Sequence, residues 1–572
     1  MNLVVLINSE VFVYAFIVLA LFETYFVEVF KMKSRFKWLA TLVALFTCLS
    51  IVANFSLTEA DAKKDEGTLK VAMEANYQPY NWTQTNDANG AVPIEGSKEY
   101  ANGYDVKIAK IIGQKLHRKV EVVKTEWDGL LPALTSGKAD LIIAGMSPTA
   151  EREKAINFSQ PYRNSTFVVI TKINSRYANA KKLTDFKGAK LTAQQGTFHY
   201  DLIKQLKGAK RQPAMRDFAA MRQSLISGTI DGYVAEDTES TSFKMVDPDI
   251  KSIPVSKMAG FHATKDESVT AIGIAKPNKA LLKSVNQILA TIPEAKRTKL
   301  MTEAVKQQPK TDNNKKGKKT KSEPWLVSMW RQYGGMILNG IGMTLLLASV
   351  GTIAGFFIGL AVGIVRTIPT PTTTGKRWLL KFVNWLLSVY IEVFRGTPMM
   401  VQAAVIYYGI AQFWHLNIDR TVAALIIVSI NTGAYLAEII RGGIISTPEG
   451  QFEAASALGM THNQRMWHII LPQAIKNCLP SITNEFIVNI KDTSVLSIIS
   501  VSELFFVGST VASQTFKFFP TYLTISAIYL ILTFTITRIF NLIEKHLQGS
   551  KNYNLMANQV QVGTPKDMEA KN

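Results

Sequence analysis

Residue types that together can hold a free amino acid recur in the first half of the chain. Arg152 can form paired hydrogen bonds with an α-carboxylate because its guanidinium group is planar and always charged. Glu236 can accept an α-ammonium group, and the rings of Tyr77 and Trp127 can cover a side chain. Singly, each residue has an ordinary structural explanation at the surface or in the core. Their joint occurrence predicts a site for an amino acid zwitterion.

The elements that must position these residues alternate between residues 67 and 305. β-rich runs are followed by helical runs, which predicts a doubly wound α/β sheet with helices on both faces. Such sheets bind ligands at the carboxyl ends of their strands, and the candidate residues follow strands. Strands are predicted at 69–74, 119–124, 139–145 and 166–172, and helices at 106–116 and after Trp127.

Three stretches carry a family resemblance, namely GYDVKIAKII (103–112), WDGLLPALTSGKADLIIAGMSPTAEREKAINFSQPY (127–162) and DGYVAE (231–236). They resemble the polar amino acid-binding proteins of bacterial ABC importers, and the resemblance covers residues 67–305. It implies two α/β lobes that close on ligand about two crossing strands, which we expect near 167–171 and 272–275. One lobe would then be discontinuous and combine residues 67–170 with 271–305.

The resemblance also implies a role for each residue of the site. Arg152 would clamp the α-carboxylate, helped by Gly145, Ser147 and Thr197. Glu236 would receive the α-ammonium group, and the two aromatic rings would sandwich the side chain. The complete expected ligand-binding set is Glu74, Tyr77, Trp127, Gly145, Ser147, Arg152, Gln194, Thr197 and Glu236.

Glu74 is expected to set the preference for the ligand side chain. It follows the first strand beside Tyr77, where relatives contact the tip of the ligand, and Gln194 lies nearby. An acidic group accepts hydrogen bonds from an amide or pairs with a cation, but it repels a carboxylate. We therefore expect arginine, lysine, histidine or glutamine to bind, and glutamate or aspartate to bind poorly. The alternatives are that Glu74 points to solvent or forms a salt bridge between the lobes.

The second half of the chain is dominated by apolar runs, which contribute to an overall hydrophobic content of 47%. A helix that crosses a bilayer needs roughly 20 such residues. Five spans are predicted near 334–364, 383–411, 421–441, 480–505 and 520–543. The predicted fold class is thus an α/β two-lobed, periplasmic-binding-protein-like domain (67–305) followed by an all-α membrane permease domain of five spans (325–546).

The remaining segments predict how the chain is placed in a cell membrane. Residues 32–62 read as a signal peptide or signal anchor, which would put the binding domain outside. Residues 1–31 are an extra apolar segment or a mis-assigned start. The basic linker 306–324 disagrees with a positive-inside bias. The residues that agree with it are Arg366, Lys376, Arg377, Arg465, Arg538 and Lys545, and the tail 547–572 is expected to be cytoplasmic. The net charge of +20 is better explained by tethers and anionic lipid than by nucleic acid, and two cysteines form no disulfide framework.

A polar stretch between the third and fourth predicted spans points to a soluble partner. Glu453, Ala454 and Ala455 begin a helix, and Gly459 permits a sharp turn before IILP (469–472). Alone, this pattern is an ordinary loop helix. With EVFRGTPMMVQ (392–402) and AEIIRGGIISTPEGQFEAA (437–455), it resembles the coupling loop of polar amino acid importer permeases, here placed at 450–475. In that family the loop docks into a groove on a cytoplasmic ABC ATPase.

We do not expect the ATPase itself to be part of this chain. No G-x-x-x-x-G-K-[ST] phosphate-binding loop occurs, so we expect ATP to be used by a separate ATPase subunit and no cofactor, metal or catalytic residue here. The permease would form a homodimer or pair with a sister permease. The competing interpretations are an exported enzyme, which lacks an acid–base pair apart from the zwitterion clamp, and a ligand-gated channel or sensor with an amino acid-binding ectodomain.

Overall fold

The structure is a computed structural model that describes residues 67–309 and 324–548, except residues 246, 415, 417 and 516. The expected signal and the extra apolar segment before it lie outside the described residues. So do most of the basic linker and nearly all of the tail.

Sixteen strands are present among the described residues, and all of them lie in the binding domain. They are β1 (Thr68–Met73), β2 (Asn76–Tyr77), β3 (Asn81–Gln84), β4 (Val92–Pro93), β5 (Tyr100–Asn102), β6 (Lys119–Lys124), β7 (Leu141–Ile142), β8 (Ile156–Phe158), β9 (Arg163–Asn164), β10 (Phe167–Lys172), β11 (Lys190–Thr192), β12 (Lys210–Arg211), β13 (Gly232–Glu236), β14 (Ile250–Ile253), β15 (Val269–Thr270) and β16 (Gly273–Ala275). The α-helices of this domain are α1 (Tyr104–Lys115), α2 (Leu130–Thr135), α3 (Ala150–Ala155), α4 (His199–Leu202), α5 (Phe218–Ser227), α6 (Asp237–Lys244), α7 (Lys279–Ala290) and α8 (Glu294–Gln307).

The strands build two lobes, each around one five-stranded sheet. Lobe 1 (67–162 and 271–309) has the strand order β6-β1-β7-β16-β8, and lobe 2 (165–268) has the order β12-β11-β13-β10-β14. β1 pairs in parallel with both β6 and β7, so it lies inside its sheet. Its run from Val71 to Met73 is fully buried, as expected for a strand covered on both faces. The predicted two-lobed α/β fold is therefore present.

The lobes are joined by the short antiparallel pair β9 and β15. β9 lies between β8 of lobe 1 and β10 of lobe 2, and β15 lies between β14 and β16. The expected crossing positions, 167–171 and 272–275, instead fall in β10 and β16, which belong to the main sheets. The crossing strands were missed because each has only two paired residues, whereas the apolar runs beside them are more prominent in the sequence.

The permease domain is helical throughout its described part. Its helices are α9 (Trp325–Arg366), α10 (Thr374–Gly396), α11 (Met399–Trp414), α12 (Arg420–Ile445), α13 (Glu449–Ala457), α14 (His462–Arg465), α15 (Leu471–Asp492), α16 (Leu504–Thr515) and α17 (Phe518–Gln548). A π-helical turn (Met466–Ile470) joins α14 to α15, and a 3-10 segment (Thr493–Ile499) follows α15.

Three of the described helices, α9, α12 and α17, are long and apolar enough to cross a membrane. A fourth crossing is added if the helical run 462–499 and α16, which meet at 59°, count as one bent span. The expected count of five is not reached by these criteria. The predicted second span, 383–411, is divided between α10 and α11, because the chain breaks at Thr397 and Pro398.

Glycines on α9 allow it to lie directly against α12. A Cβ atom added at Gly355 would come within 2.8 Å of Thr432, and one at Gly359 would come within 2.8 Å of the backbone at Leu436 and Ala437. Small residues at four-residue spacing let helix backbones approach closely in membrane proteins. The full stripe is Gly351, Gly355, Gly359 and Gly363. We call the contact between this stripe and α12 the glycine seam.

Candidate functional site

The two lobes meet across a cleft that contains the predicted ligand-binding residues. Hydrogen bonds cross it from one lobe to the other, including three from aromatic or amide side chains. The hydroxyl of Tyr80 donates to Glu236 (2.7 Å), the amide of Gln194 donates to Glu74 (3.2 Å), and the indole of Trp127 donates to the Gly196 carbonyl (3.3 Å). The structure thus holds the lobes in contact around the site.

Glu236 lies at the carboxyl end of β13, where an ammonium acceptor was predicted. The side chain is buried, and one carboxylate oxygen accepts hydrogen bonds from Tyr80 and from Ser165 (2.9 Å). Burial raises the pKa of Glu236 to about 7, against the opposing effect of these hydrogen bonds and of Arg163. A carboxylate has several acceptor positions, so Glu236 can receive a further donor such as an ammonium group.

Arg152 lies in α3 and reaches the junction of the lobes. Its guanidinium donates to the Ser147 carbonyl (3.0 Å) and, across the cleft, to the Gly196 carbonyl (3.3 Å). Burial lowers the pKa of Arg152 to about 10, which still leaves it charged at neutral pH. Thr197, beside Gly196, donates its hydroxyl to the Gln194 carbonyl (2.7 Å). A carboxylate would be a stronger partner for the guanidinium than these neutral carbonyl oxygens.

Two residues that were expected to bind the α-carboxylate of the amino acid have other hydrogen-bond partners in the structure. The Gly145 N–H donates to the Tyr162 hydroxyl (3.1 Å), and the Ser147 hydroxyl donates to the Glu267 carbonyl (3.2 Å). Gly145 has φ +60, and a Cβ there would lie 3.2 Å from the Tyr77 ring. The glycine is therefore placed to make room for the tyrosine at a left-handed backbone position.

The two predicted aromatic residues have separate ring partners. Tyr77 stacks on Phe218 of lobe 2, with ring centres 4.4 Å apart and planes 7° from parallel. Trp127 instead lies 5.1 Å from the guanidinium carbon of Arg152. Tyr77 thus makes one ring contact between the lobes and Trp127 makes one cation–π contact within lobe 1, and their expected places on either side of a ligand side chain stay predictions.

Glu74 lies inside the cleft rather than in solvent, with 7% of its surface exposed. One carboxylate oxygen accepts the Gln194 amide, and the other, Oε2, has no hydrogen-bond partner among the described residues. Burial, together with the charges of Glu126 and Asp217, raises the pKa of Glu74 to about 8. The unpartnered oxygen of Glu74 can therefore accept a hydrogen bond from a donor that the described residues do not supply.

Phe218 and Tyr80 are cleft residues outside the predicted ligand-binding set. Phe218 is 8% exposed at the first turn of α5, and Tyr80 is fully buried. Tyr80 lies in the aromatic run after the first strand, which was a usable signal, but no local pattern identifies Phe218.

The residues that the structure describes contain no group of His, Cys, Asp or Glu side chains suited to hold a metal ion.

The predicted coupling residues form a compact, exposed turn at the far end of the permease. Glu453 and Ala454 are exposed on α13, whereas Ala455 is buried against the domain. Gly459 has φ +70, and nothing lies within 4 Å of a Cβ added there. The turn continues into α14 through Thr461, whose side chain caps that helix. The segment thus presents a defined surface with one residue in a glycine-favouring conformation.

Two family descriptions match the chain in adjacent blocks. Residues 69–304 match the bacterial extracellular solute-binding proteins, family 3, and residues 367–549 match the binding-protein-dependent transport system inner membrane component. These blocks coincide with the two-lobed domain and with most of the helical domain.

Similar proteins fall into the same two groups. The glutamine transport system permease protein GlnP of Escherichia coli K12 is 35% identical over 214 residues, which cover 37% of this chain and 93% of GlnP. The octopine transport system permease protein OccM of Rhizobium radiobacter is 34% identical and covers 40% of this chain and 91% of OccM. A solved amino acid ABC transporter substrate-binding protein, AbpA from Streptococcus pneumoniae bound to L-arginine, is 26% identical. It covers 43% of this chain and 98% of its own, with a TM-score of 0.37.

Proposed function

The chain belongs to the amino acid ABC importers, as a family 3 solute-binding domain fused to an inner membrane permease domain, and from this premise we propose that it captures a glutamine-like or basic amino acid outside the cell and passes it through its own membrane domain. The two-lobed domain would close on the ligand, and the permease domain would open a path inward. ATP hydrolysis would be carried out by a separate cytoplasmic subunit.

The observation that carries the substrate class is the buried, half-partnered carboxyl of Glu74. Its free oxygen lies in a region made negative by Glu126 and Asp217, which suits a guanidinium, an ammonium or an amide donor. A ligand carboxylate there would add a negative charge beside Glu126 and Asp217 with little water to screen it, at a cost of several kcal/mol, whereas a ligand cation would favour the ionised form of Glu74. Arg152 and Glu236, placed in the same cleft, suit the α-carboxylate and the α-ammonium group.

The position of the binding domain supports the proposed orientation. Arg420, at the start of α12, pairs with Glu95 of the binding domain at 2.7 Å. α12 has 26 residues and is about 39 Å long, and the coupling turn follows its other end. The coupling turn and the binding domain therefore lie at opposite ends of a helix that can cross a bilayer. We propose the five-span arrangement on this basis, with α10 and α11 together forming the broken second span.

The exposed coupling turn supports a cytoplasmic ATPase partner. An ABC importer has two permease domains, so we propose that this chain pairs with a second copy or with a sister permease. Each permease domain would then present one coupling turn to one ATPase subunit.

Binding to the full chain in lipid nanodiscs tests the proposed substrate class. Labelled arginine and glutamine should bind saturably, and unlabelled lysine or histidine should compete. Glutamate should compete at least tenfold less well, as expected from about 1.4 kcal/mol or more of charge repulsion. A preference for glutamate would contradict the substrate assignment. ATP-dependent uptake into proteoliposomes that contain the ATPase would separate an importer from a channel or sensor.

A further inference from the structure

Both lobes of the binding domain rest on the outer end of the permease domain. Lobe 1 contributes the ion pair of Glu95 with Arg420 and a hydrogen bond from Lys124 to Thr510 of α16 (2.6 Å). Lys124 is almost fully buried and also lies 4.7 Å from the centre of the Phe506 ring. The domains are therefore held by specific polar contacts.

α16 is a permease helix that touches both lobes. From lobe 1, β2 and β3 lie beside it, and the Gln78 amide donates to the Ser513 carbonyl (3.2 Å). From lobe 2, α5 packs next to α16 and to the start of α17. Because the lobes are joined only by the narrow β9–β15 connection within this domain, opening the cleft would move α5 relative to β2 and β3. α16 would then lose one of its two partners.

Arg216 links closure of the cleft to this contact. It belongs to lobe 2, and its guanidinium pairs with Glu126 of lobe 1 at 2.7 Å. The guanidinium carbon also lies 5.9 Å from the centre of the ring of Phe505, the second residue of α16. Separating the lobes would break the ion pair, because its partners are on opposite sides of the cleft.

Glu503 and Tyr529 of the permease domain hold Phe505 in place. The carboxylate of Glu503 accepts the backbone N–H groups of Phe505 (2.8 Å) and Phe506 (2.7 Å), and the hydroxyl of Tyr529 on α17 donates to the same carboxylate (3.0 Å). On the other side, α16 follows the helical run 462–499, which begins in the coupling turn. A movement of α16 therefore acts on an element that reaches the face proposed for the ATPase.

We propose that α16 is the surface by which the permease recognises the closed binding domain, and that Arg216, held by Glu126, makes this recognition depend on closure. The inference rests on the proposed import function. The interface is suited to reversible docking because charged residues line it, including Glu99, Lys124 and Arg420 around a cavity between the domains. Interfaces that form and separate are more polar than permanent ones.

Hydrogen exchange of the full chain in nanodiscs, with and without L-arginine or L-glutamine, tests the proposal. In the unmodified protein, ligand should slow exchange in peptides covering 504–515 by about tenfold, because docking protects those amides. Arg216→Ala should still bind ligand saturably but lose most of this protection. Phe505→Ala, on the permease side, should bind ligand normally and show the same loss. Arg211→Ala is the matched control, because Arg211 lies on lobe 2 beside Tyr200 and Asp201 rather than α16.

A charge exchange separates the two roles of Arg216. The double variant Glu126→Arg with Arg216→Glu restores an ion pair between the lobes but places a carboxylate against Phe505. It should bind L-glutamine saturably without recovering protection of α16. Two results would overturn this inference but not the proposed function. One is that Arg216→Ala binds ligand and keeps full protection of α16. The other is that protection of α16 in the unmodified chain does not respond to ligand. Absence of amino acid binding by the unmodified chain would overturn the proposed function as well.

Discussion

The binding cleft and the glycine seam use opposite means to hold two parts of the molecule together. In the cleft, lobes meet through charged and hydrogen-bonding groups such as Glu74, Arg152 and Glu236, and Glu74 keeps one oxygen without a partner. In the seam, α9 and α12 meet through glycines and apolar side chains. A polar ligand could take over hydrogen bonds of the cleft, whereas the seam has no room for a further group.

The most severe test of this contrast enlarges a residue of the seam. Gly359→Leu should destabilise the permease domain by about 3 kcal/mol or more, because the backbone of α12 blocks the new side chain and overpacking is costly. Thermal unfolding of the purified chain, followed by size-exclusion profile, measures the loss. Gly335→Leu is the control, since nothing lies within 4 Å of a Cβ there on the same helix. Equal stability of the two variants would show that the seam tolerates change after all.

The second test removes a charged partner from the cleft. Arg152→Ala should weaken amino acid binding by about 2–5 kcal/mol, because a charge-assisted contact to the ligand carboxylate is lost. Unlike the seam variant, it should leave the melting temperature of the ligand-free protein nearly unchanged. Calorimetry with arginine or glutamine gives the affinity, and Arg211→Ala serves as the exposed control. Near-normal affinity in the Arg152 variant would remove this residue from the site.

The same contrast explains how far the sequence could predict the site. Glu74 and Arg152 follow strands of the lobe 1 sheet and Glu236 ends a strand of the lobe 2 sheet, so their places at the carboxyl ends of strands could be predicted. The stacking of Phe218 on Tyr77 could not, because it depends on how lobe 2 turns toward lobe 1. The hydrogen bond from the Gly145 N–H to the Tyr162 hydroxyl could not be predicted either, because Tyr162 lies 17 residues further along the chain, beyond α3 and β8. The residue types indicate which chemistry the site can perform, but the contacts between the lobes depend on how the two lobes are arranged.

The membrane domain shows a similar limit. Hydropathy detects α9, α12 and α17, but it merges α10 with α11 because an apolar average does not register the break at Thr397 and Pro398. The crossing strands β9 and β15 were not predicted because each has only two paired residues, which is too short to carry a periodic signal. Which segments are buried could thus be predicted from the sequence better than where a helix or strand is interrupted.

A smaller effect is expected at the coupling turn, which has neither the charge of the cleft nor the packing of the seam. Gly459→Leu should reduce ligand-stimulated ATPase activity about tenfold, because a left-handed backbone costs about 1–2 kcal/mol with a side chain and the side chain also covers the docking surface. Ligand binding should not change. Gly450→Leu is the control, because that glycine is equally open but lies within α13 without a positive φ. Normal ATPase stimulation in the Gly459 variant would remove the turn from coupling.

The last prediction concerns the proton on Glu74. With a pKa of about 8, raised mainly by burial, this group is largely protonated and neutral in the free cleft at neutral pH. A ligand cation favours the ionised form, so its binding releases a proton. Affinity for arginine should therefore increase as pH rises toward 8, by at most about tenfold for each pH unit, and then level off. A glutamine amide can bond either form, so its affinity should change less.

The ratio of arginine affinity to glutamine affinity isolates Glu74 from the rest of the cleft. Burial also raises the pKa of Glu236, to about 7, but that residue would face the α-ammonium group that both ligands share, so its titration cancels in the ratio. The ratio should rise between about pH 6 and pH 8, and Glu74→Gln should make it independent of pH by removing the titrating group. The ligand-free protein should lose stability over the range from about pH 4.5 to 8, because the folded state holds a proton that the unfolded state releases, and Glu74→Gln should diminish that slope. A ratio that is flat in the unmodified chain would place the ligand tip away from Glu74 and would make the cleft, like the seam, a region where shape rather than charge determines what fits.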